Sequence, residues 1–361
     1  MPKEIPQPFS PDGVNKLPLF SPDEVAKLEK APKQTGWEHF TPKFVDTKSA
    51  TSDPKVVIEA MQARRTAYKG EKISQPEATV RIRTRMPITV FPLGDVHWGS
   101  VYTSHEQFME HVKRIEETPN TYVVFMHNLV DNAIPAKFPS NMLVNSIPPQ
   151  EQFATMQKII KDMDKKGKVL GAIENSCHEG WSFAATGQSA SALLYGYEGR
   201  KFPVLENGGV LNIQVGKQDY KWGLYHKSGP FNSNFNKTHN TQQMNRLNLN
   251  GEADVVVAAH NHVGAVLETY EGAHSKDRKK RVYVRTGTYK GSGEIHDKFA
   301  VDGWGRSGEP AGQSVMMQPD KKEMDASLDF EEGILKHENA LVRKTLEQQG
   351  LLETVLGKIR R

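Results

Sequence analysis

Five short segments concentrate the metal-ligating residue types of this 361-residue chain. They are Gly94-Asp95-Val96-His97, Asn128-Leu129-Val130-Asp131, Asn175-Ser176-Cys177-His178-Glu179, Tyr225-His226 and Ala259-His260-Asn261-His262. Carboxylate and neutral imidazole together suit Zn, Mn or Fe. Asp95 and His97 lie two apart, so in an extended segment they project to one side. His260 and His262 repeat that spacing, and His226 adds a third imidazole after another apolar run. Oxygen and nitrogen donors gathered in this way can hold a pair of cations. Such a pair stabilises both the attacking and the leaving oxygen of an in-line displacement.

Each segment needs an element that ends beside the others. Ile88-Thr89-Val90-Phe91, Tyr122 to Met126 and Val169 to Ile173 read as buried strands that feed the first three segments. Between them, Ser104-His105-Glu106-Gln107 has the form of a capping box and opens a helix with Phe108, Val112 and Ile115 on one face. A second helix from about Pro149 to Lys165 turns Phe153, Met156, Ile160 and Met163 inward. Alternating strand and helix implies an α/β core with parallel strands. In an open sheet, residues just past the carboxyl ends of strands converge on one crevice. The later strands, Val210 to Val215, Trp222 to Tyr225, Asp254 to Ala258 and Val282 to Arg285, have hairpin-like spacing and fewer helices. A mixed sheet, or two sheets packed as a sandwich with helices outside, follows.

Residues 1–77 form a Pro-rich extension with two short helices, one after Ser21-Pro22 and one over Pro54 to Tyr68. Residues 78–320 carry the main domain. Residues 321–361 form a helical extension with a stripe of Leu335, Val342 and Leu346, and a second after Gly350. The arm reads as an extension that docks on the main domain or on a partner, or else as partly disordered, and the helical end as a surface for packing, for a second copy or for an assembly partner. Asp297 to Gln313 is Gly-rich and loop-like, and Arg278-Lys279-Lys280-Arg281 reads as a solvated turn. Lys227, Asn232, Asn234, Asn236, Lys237 and His239 form a polar stretch that could border a phosphodiester path. The formal charge of +4 permits contact with nucleic acid without demanding it. One cysteine allows no internal disulfide, as expected of a reducing, cytoplasmic location. No apolar run is long enough for a membrane span, and the first residues lack the apolar core of a signal peptide.

The order and spacing of the five segments, from about Ile88 to Gly287, resembles the calcineurin-like metallophosphoesterases. Their motifs run Asp-x-His, Gly-Asp-x-x-Asp, Gly-Asn-His-Asp/Glu, a lone His and Gly-His-x-His. The resemblance implies a four-layer α-β-β-α fold with mixed sheets, two divalent ions (Mn, Zn or Fe) and hydrolysis of a phosphodiester or phosphomonoester. Nucleic acid or a nucleotide is the substrate it suggests. Carried over by residue, it implies Asp95, His97 and His262 as ligands of one ion and His226 and His260 as ligands of the other. Asn128 falls on the bridging position and Asn175 on the asparagine ligand. His178 becomes the general acid, and Asp131 the residue that orients it or a ligand. The stretch Arg285-Thr286-Gly287-Thr288-Tyr289 is also similar to bacteriophage members, which would place the protein in a host cell or a virion.

Two segments depart from the family pattern. Asn128 stands where a bridging carboxylate belongs, and an amide offers one oxygen acceptor and no charge. Occupation by one ion, or none, is therefore an alternative to two. His127 replaces the preceding glycine and could supply a ligand. Cys177 stands directly before His178, so either Asn175 reaches an ion from two positions earlier or Cys177 does so as a thiolate. These changes leave open a catalytically impaired relative acting as a structural or interaction protein, and a rewired mononuclear enzyme.

Overall fold

Ile88–Leu93 is buried along its whole length, as a strand covered on both faces must be. In the computed structural model this strand lies near the middle of one of two six-stranded sheets. The structure describes residues 76–134, 145–174, 190–227, 235–272, 277–291 and 308–350, together with Ile58, Gln62, Cys177, His178, Gly180 and Trp181. The chain divides into two compact units, Met1–Ile73 and Ser74–Arg361. Of the first unit only Ile58 and Gln62 are described, both helical and both within the helix expected over Pro54 to Tyr68. The expected helix after Ser21, the Gly-rich stretch up to residue 307 and the stripe after Gly350 lie outside the described residues.

The described strands are β1 (Glu77–Ile82), β2 (Ile88–Leu93), β3 (Thr121–Phe125), β4 (Val169–Glu174), β5 (Val204–Glu206), β6 (Gly209–Val215), β7 (Gln218–Tyr225), β8 (Val255–Ala258), β9 (Ala265–Glu271), β10 (Lys279–Arg285), β11 (Ser314–Met317) and β12 (Met324–Ser327). The helices are α1 (His105–Glu117), α2 (Pro149–Lys165), α3 (Ala190–Tyr195), α4 (His239–Asn248) and α5 (Phe330–Gln348). One sheet has the order β1-β6-β7-β8-β10-β9, the other β12-β11-β2-β3-β4-β5. Both are mixed. β2, β3, β4 and β5 run parallel, as do β7, β8 and β10. The flanking pairs β6–β7, β9–β10, β2–β11 and β11–β12 are antiparallel.

Side-chain alternation along the strands builds two cores. Val90, Val124 and Met126 from one sheet meet Leu211, Ile213, Trp222, Val257 and Val284 from the other, so the sheets pack face to face. The opposite face of β2 and β3 turns Phe91, Val123 and Phe125 onto Phe108 and Ile115 of α1, Phe153 and Ile160 of α2, and Phe330 and Ile334 of α5. Beyond the other sheet, α4 and the turn after it cover Val256 and Tyr283 with Met244 and Leu249. The result is a four-layer α-β-β-α arrangement with mixed sheets, as the sequence led one to expect.

Three local expectations are corrected. Ser104 precedes α1 but makes no side-chain capping bond; its backbone N–H is taken by Tyr289 O, and the helix starts without the box. Arg278 to Arg281 is no solvated turn. Lys279 opens β10, Arg281 is buried and ion-paired with Asp254 at 3.0 Å, and Lys280 pairs with Glu268 at 2.7 Å. In α5 the buried face is Phe330, Gly333, Ile334 and His337, while Leu335 and Val342 of the expected stripe are 59% and 60% exposed.

Candidate metal centre

The parallel blocks put the carboxyl ends of β2, β3, β4, β7, β8 and β10 at one edge of the sandwich. Asp95 and His97 follow β2; His127, Asn128 and Asp131 follow β3; Cys177 and His178 follow β4; His226 follows β7; His260 and His262 follow β8. The first two loops run side by side beyond their strands. Asp95 N–H donates to His127 O at 3.1 Å, His97 N–H to Asn128 O at 2.9 Å, and Asp131 N–H to Trp98 O at 3.1 Å. Gly94 allows this approach, because a Cβ there would sit 2.8 Å from Met126 Cβ.

Asp95 and His97 do not project from an extended segment. Both have positive φ (48° and 53°), as do His127, Asn128, His260 and His262 (74°, 51°, 78° and 53°). A non-glycine residue in the left-handed region costs on the order of 1–3 kcal/mol. Six of them within three loops amounts to strain comparable with the ~5–15 kcal/mol net stability of a whole domain. Backbone strain of this kind collects at functional sites, where surrounding structure holds it in place.

Single ligand atoms of Asp95, His97 and His262 lie within 4.8 Å of one another, and so do those of Cys177, His226 and His260, and those of His97, Asp131 and His178. In the first group His97 Nε2 is 3.9 Å and His262 Nε2 3.8 Å from Asp95 Oδ1, and the two Nε2 atoms are 3.1 Å apart. Donors at ~2.0–2.3 Å from a zinc-sized ion stand roughly 3–3.8 Å apart, so the group is close to closing on a cation. Asp95 is tied to two further motifs. Its Oδ1 accepts from Asn128 Nδ2 at 3.0 Å and its Oδ2 from the His260 N–H at 2.6 Å.

Hydrogen bonding fixes which imidazole nitrogen presents a lone pair. His97 Nδ1 donates to Asp131 Oδ1 at 3.1 Å, so its Nε2 carries the lone pair, and this atom meets His262 Nε2 at 3.1 Å. His226 Nδ1 donates to the Met126 carbonyl at 3.0 Å. Its Nε2 is buried and has no hydrogen-bond partner among the described residues. A nitrogen lone pair sealed from water without a donor is costly, and a cation would relieve that cost. Ligating histidines characteristically give their other N–H to a carbonyl or carboxylate in this way. The donor set therefore fits divalent ions: Asp95, His97 and His262 would hold one, and His226 and His260 would belong to a second.

Burial also keeps the imidazoles neutral, the form that ligates. It pushes His226, His262 and His178 well below the ordinary histidine value. His260 is pushed down to about 4, first by burial and then by the nearby positive charges of Lys227 and Arg285. Burial alone would raise Asp131, but the His97 hydrogen bond and the Lys290 ammonium outweigh it and hold the carboxyl well below its usual range.

The structure brings together Asp95, His97, Asn128, Asp131, His178, His226, His260 and His262, all expected from sequence. Asn175 lies outside the described residues, as do Asn232 and Asn234 of the polar stretch. Asp131 touches His97 and lies 4.0 Å from His178 Nδ1, which itself donates to Asp131 O at 2.7 Å. His127 is buried with its ring 4.9 Å from that of His226 and belongs to none of the three donor groups. Two participants were not foreseen. Lys290, buried, reaches Asp131 Oδ1 at 2.7 Å, and the Trp181 ring packs 4.0 Å from that of His178. Lys290 sits beyond β10, a sixth strand end at the same edge. Its loop also braces the first motif, since Thr288 Oγ1 donates to Asp95 O at 2.7 Å.

No protein-family model matches the chain, and no curated protein matches it. Among solved structures, it is similar to wild-type Vps29 complexed with zinc from Entamoeba histolytica, with 11% identity, 66% of this chain and 97% of that chain covered, and a TM-score of 0.32. It is likewise similar to vacuolar protein sorting 29 from Cryptosporidium parvum, with 13% identity, 67% and 97% covered, and a TM-score of 0.30. A third is a conserved uncharacterised protein, described as a predicted phosphoesterase, from Streptococcus pneumoniae TIGR4, with 12% identity, 68% and 91% covered, and a TM-score of 0.29. At such scores these likenesses carry no argument about the site, which rests on its own geometry. Among the described residues no helix is long and apolar enough to cross a membrane.

Proposed function

We propose that this chain is a metal-dependent phosphoesterase that cleaves a phosphodiester or phosphomonoester at a dinuclear centre. The observation that carries the reading is the pair of adjoining donor groups, Asp95/His97/His262 and Cys177/His226/His260, at one strained sheet edge. Divalent ions bound there would supply Lewis-acid activation of water and of the phosphoryl group. The chain's own residues do the rest. Asp131, ionised and anchored by Lys290, orients His97 through Nδ1. His178, with its Nδ1–H committed to Asp131 O, keeps Nε2 available to accept a proton and pass it to the leaving oxygen. Lys227, Arg285 and Lys290 all act electrostatically on the site histidines, and their positive charge favours an anionic substrate such as a nucleotide or nucleic acid.

A second reading, a non-catalytic binding or assembly protein of the same fold, draws on Asn128. Its amide donates to the Asp95 oxygen where a charged bridge would favour two ions. Turnover separates the two. Purified protein loaded with Zn or Mn should hydrolyse a bis-aryl phosphate, and His178→Ala should lower kcat by about 10²–10⁴-fold, the usual worth of a positioned proton-transfer group. Loaded protein with no turnover above buffer would favour the binding protein.

A further inference from the structure

Cys177 is the sole cysteine of the chain, 6% exposed, and it stands where the segment after β4 meets the β8 loop. Its Sγ lies 3.7 Å from His260 Nδ1, and it shares a 4.8 Å cluster with His226 and His260. We propose that Cys177 is a thiolate ligand, so that the second ion site is a Cys-His-His site selective for zinc or a comparably soft ion.

Two independent observations support this. The first is His226. Its ring is 1% exposed, its Nδ1–H is fixed on Met126 O, and its Nε2 has no hydrogen-bond partner among the described residues although it belongs to the same cluster. The second is spacing. Ligands of a tetrahedral ion, with Zn–S near ~2.3 Å and Zn–N near ~2.0 Å, stand roughly 3.5 Å apart, and the Sγ–Nδ1 distance of 3.7 Å matches that edge. Three protein ligands with a fourth position open is the pattern of a zinc site that admits water or substrate.

The two sites then differ in character. Asp95, His97 and His262 offer one oxygen and two nitrogens, a set that accepts Mn, Fe or Zn. Thiolate sulfur disfavours Mg, Ca and Mn and selects softer ions. The chain would thus hold two unlike sites at one edge, with Cys177 the residue that distinguishes them. This deepens the dinuclear reading of the same edge, but it concerns metal binding and does not depend on turnover.

Cobalt is the probe. Metal-free full-length protein titrated with Co²⁺ should develop a near-ultraviolet sulfur-to-cobalt charge-transfer band, which Zn²⁺ abolishes by displacement and Mg²⁺ does not. With a single cysteine in the chain, that band in the wild type reports Cys177 alone, whatever the fate of a variant. His97→Ala should keep the band. Cys177→Ser should lose it and bind zinc at least about tenfold more weakly, since even partners one shell out cost ~10–100-fold. Saturating zinc should also slow alkylation of the wild-type thiol under native conditions. Cobalt bound without the band, or alkylation at the same rate with and without zinc, overturns the proposal. A band without phosphoesterase turnover would sink the enzymatic reading and leave this one standing; turnover without a band would do the reverse.

Discussion

Asn128 decides how much negative charge the centre carries. It is 1% exposed, has a positive φ of 51° and donates to Asp95 Oδ1 at 3.0 Å. Replacing it by aspartate would set two carboxylates about that far apart in a buried loop. Without metal, one of them must take up a proton, because like charges at this distance do not both ionise. With metal, the same pair becomes the better cage. Asn128→Asp should therefore destabilise the metal-free protein by about 1–3 kcal/mol, the cost of a buried polar group losing its partner. It should also tighten metal binding by at least about tenfold, on the scale seen when groups around a metal ligand change. Calorimetric titration together with thermal melts of the apo form checks both. Unchanged affinity would mean that the residue does not influence the ions. Most of the residues gathered at this edge were legible because each follows an apolar run directly. Lys290 was not, since a single lysine after Gly-Thr-Tyr carries no metal signature and gains meaning only when β10 pairs with β8. Nor was the left-handed backbone of Asp95 and His97, which the crossing loops impose from outside the segment.

Elements with a clean apolar period were readable and those with polar buried faces were not. α2 runs Pro149–Lys165 with Phe153, Met156, Ile160 and Met163 buried, as its period predicts. α4 escaped notice because its buried face is Asn240, Thr241 and Asn245. That face is held by hydrogen bonds, with Asn245 Nδ2 on Tyr283 OH at 3.0 Å and the Ala253 N–H on Asn245 Oδ1 at 3.2 Å. The short strands β11 and β12 have too little alternation to show in sequence. His111 makes the packing of α1 against α5 testable. Its ring stacks on Phe330 of α5 at 3.7 Å and meets Tyr289 OH at 2.8 Å, and burial, only partly opposed by Asp329, pushes it down to about 4. The unfolded chain binds this proton near pH 6.5, whereas the folded protein does not until about pH 4. Stability from this group is therefore complete above pH 6.5 and is lost as pH falls towards 4. The loss amounts to about 3 kcal/mol at ~1.4 kcal/mol per unit. His111→Gln should flatten the melting temperature between pH 7 and 4 relative to wild type. An unchanged slope would show that the destabilisation comes from other groups.

Across the whole molecule, the two parallel blocks explain why residues far apart in sequence meet. β2, β3 and β4 in one sheet and β7, β8 and β10 in the other direct their carboxyl ends to a shared edge, and the face-to-face packing of Val90, Val124, Trp222 and Val257 holds the blocks in register. The strand assignments pointed to that convergence but left one mixed sheet or two packed sheets open; only the family resemblance implied the four layers, and neither showed how the sheets are completed. β11 and β12 return from the far end of the chain to flank β2, and α5 seals their outer face with Phe330 and Ile334.

If this edge grips divalent ions, anomalous scattering at the zinc edge from crystals of the full chain soaked in zinc should show two peaks. One lies among Asp95, His97 and His262 and the other among Cys177, His226 and His260, each about 2.0–2.3 Å from its ligand atoms. Zinc bound elsewhere, or no peak in either place with these side chains ordered, would contradict it.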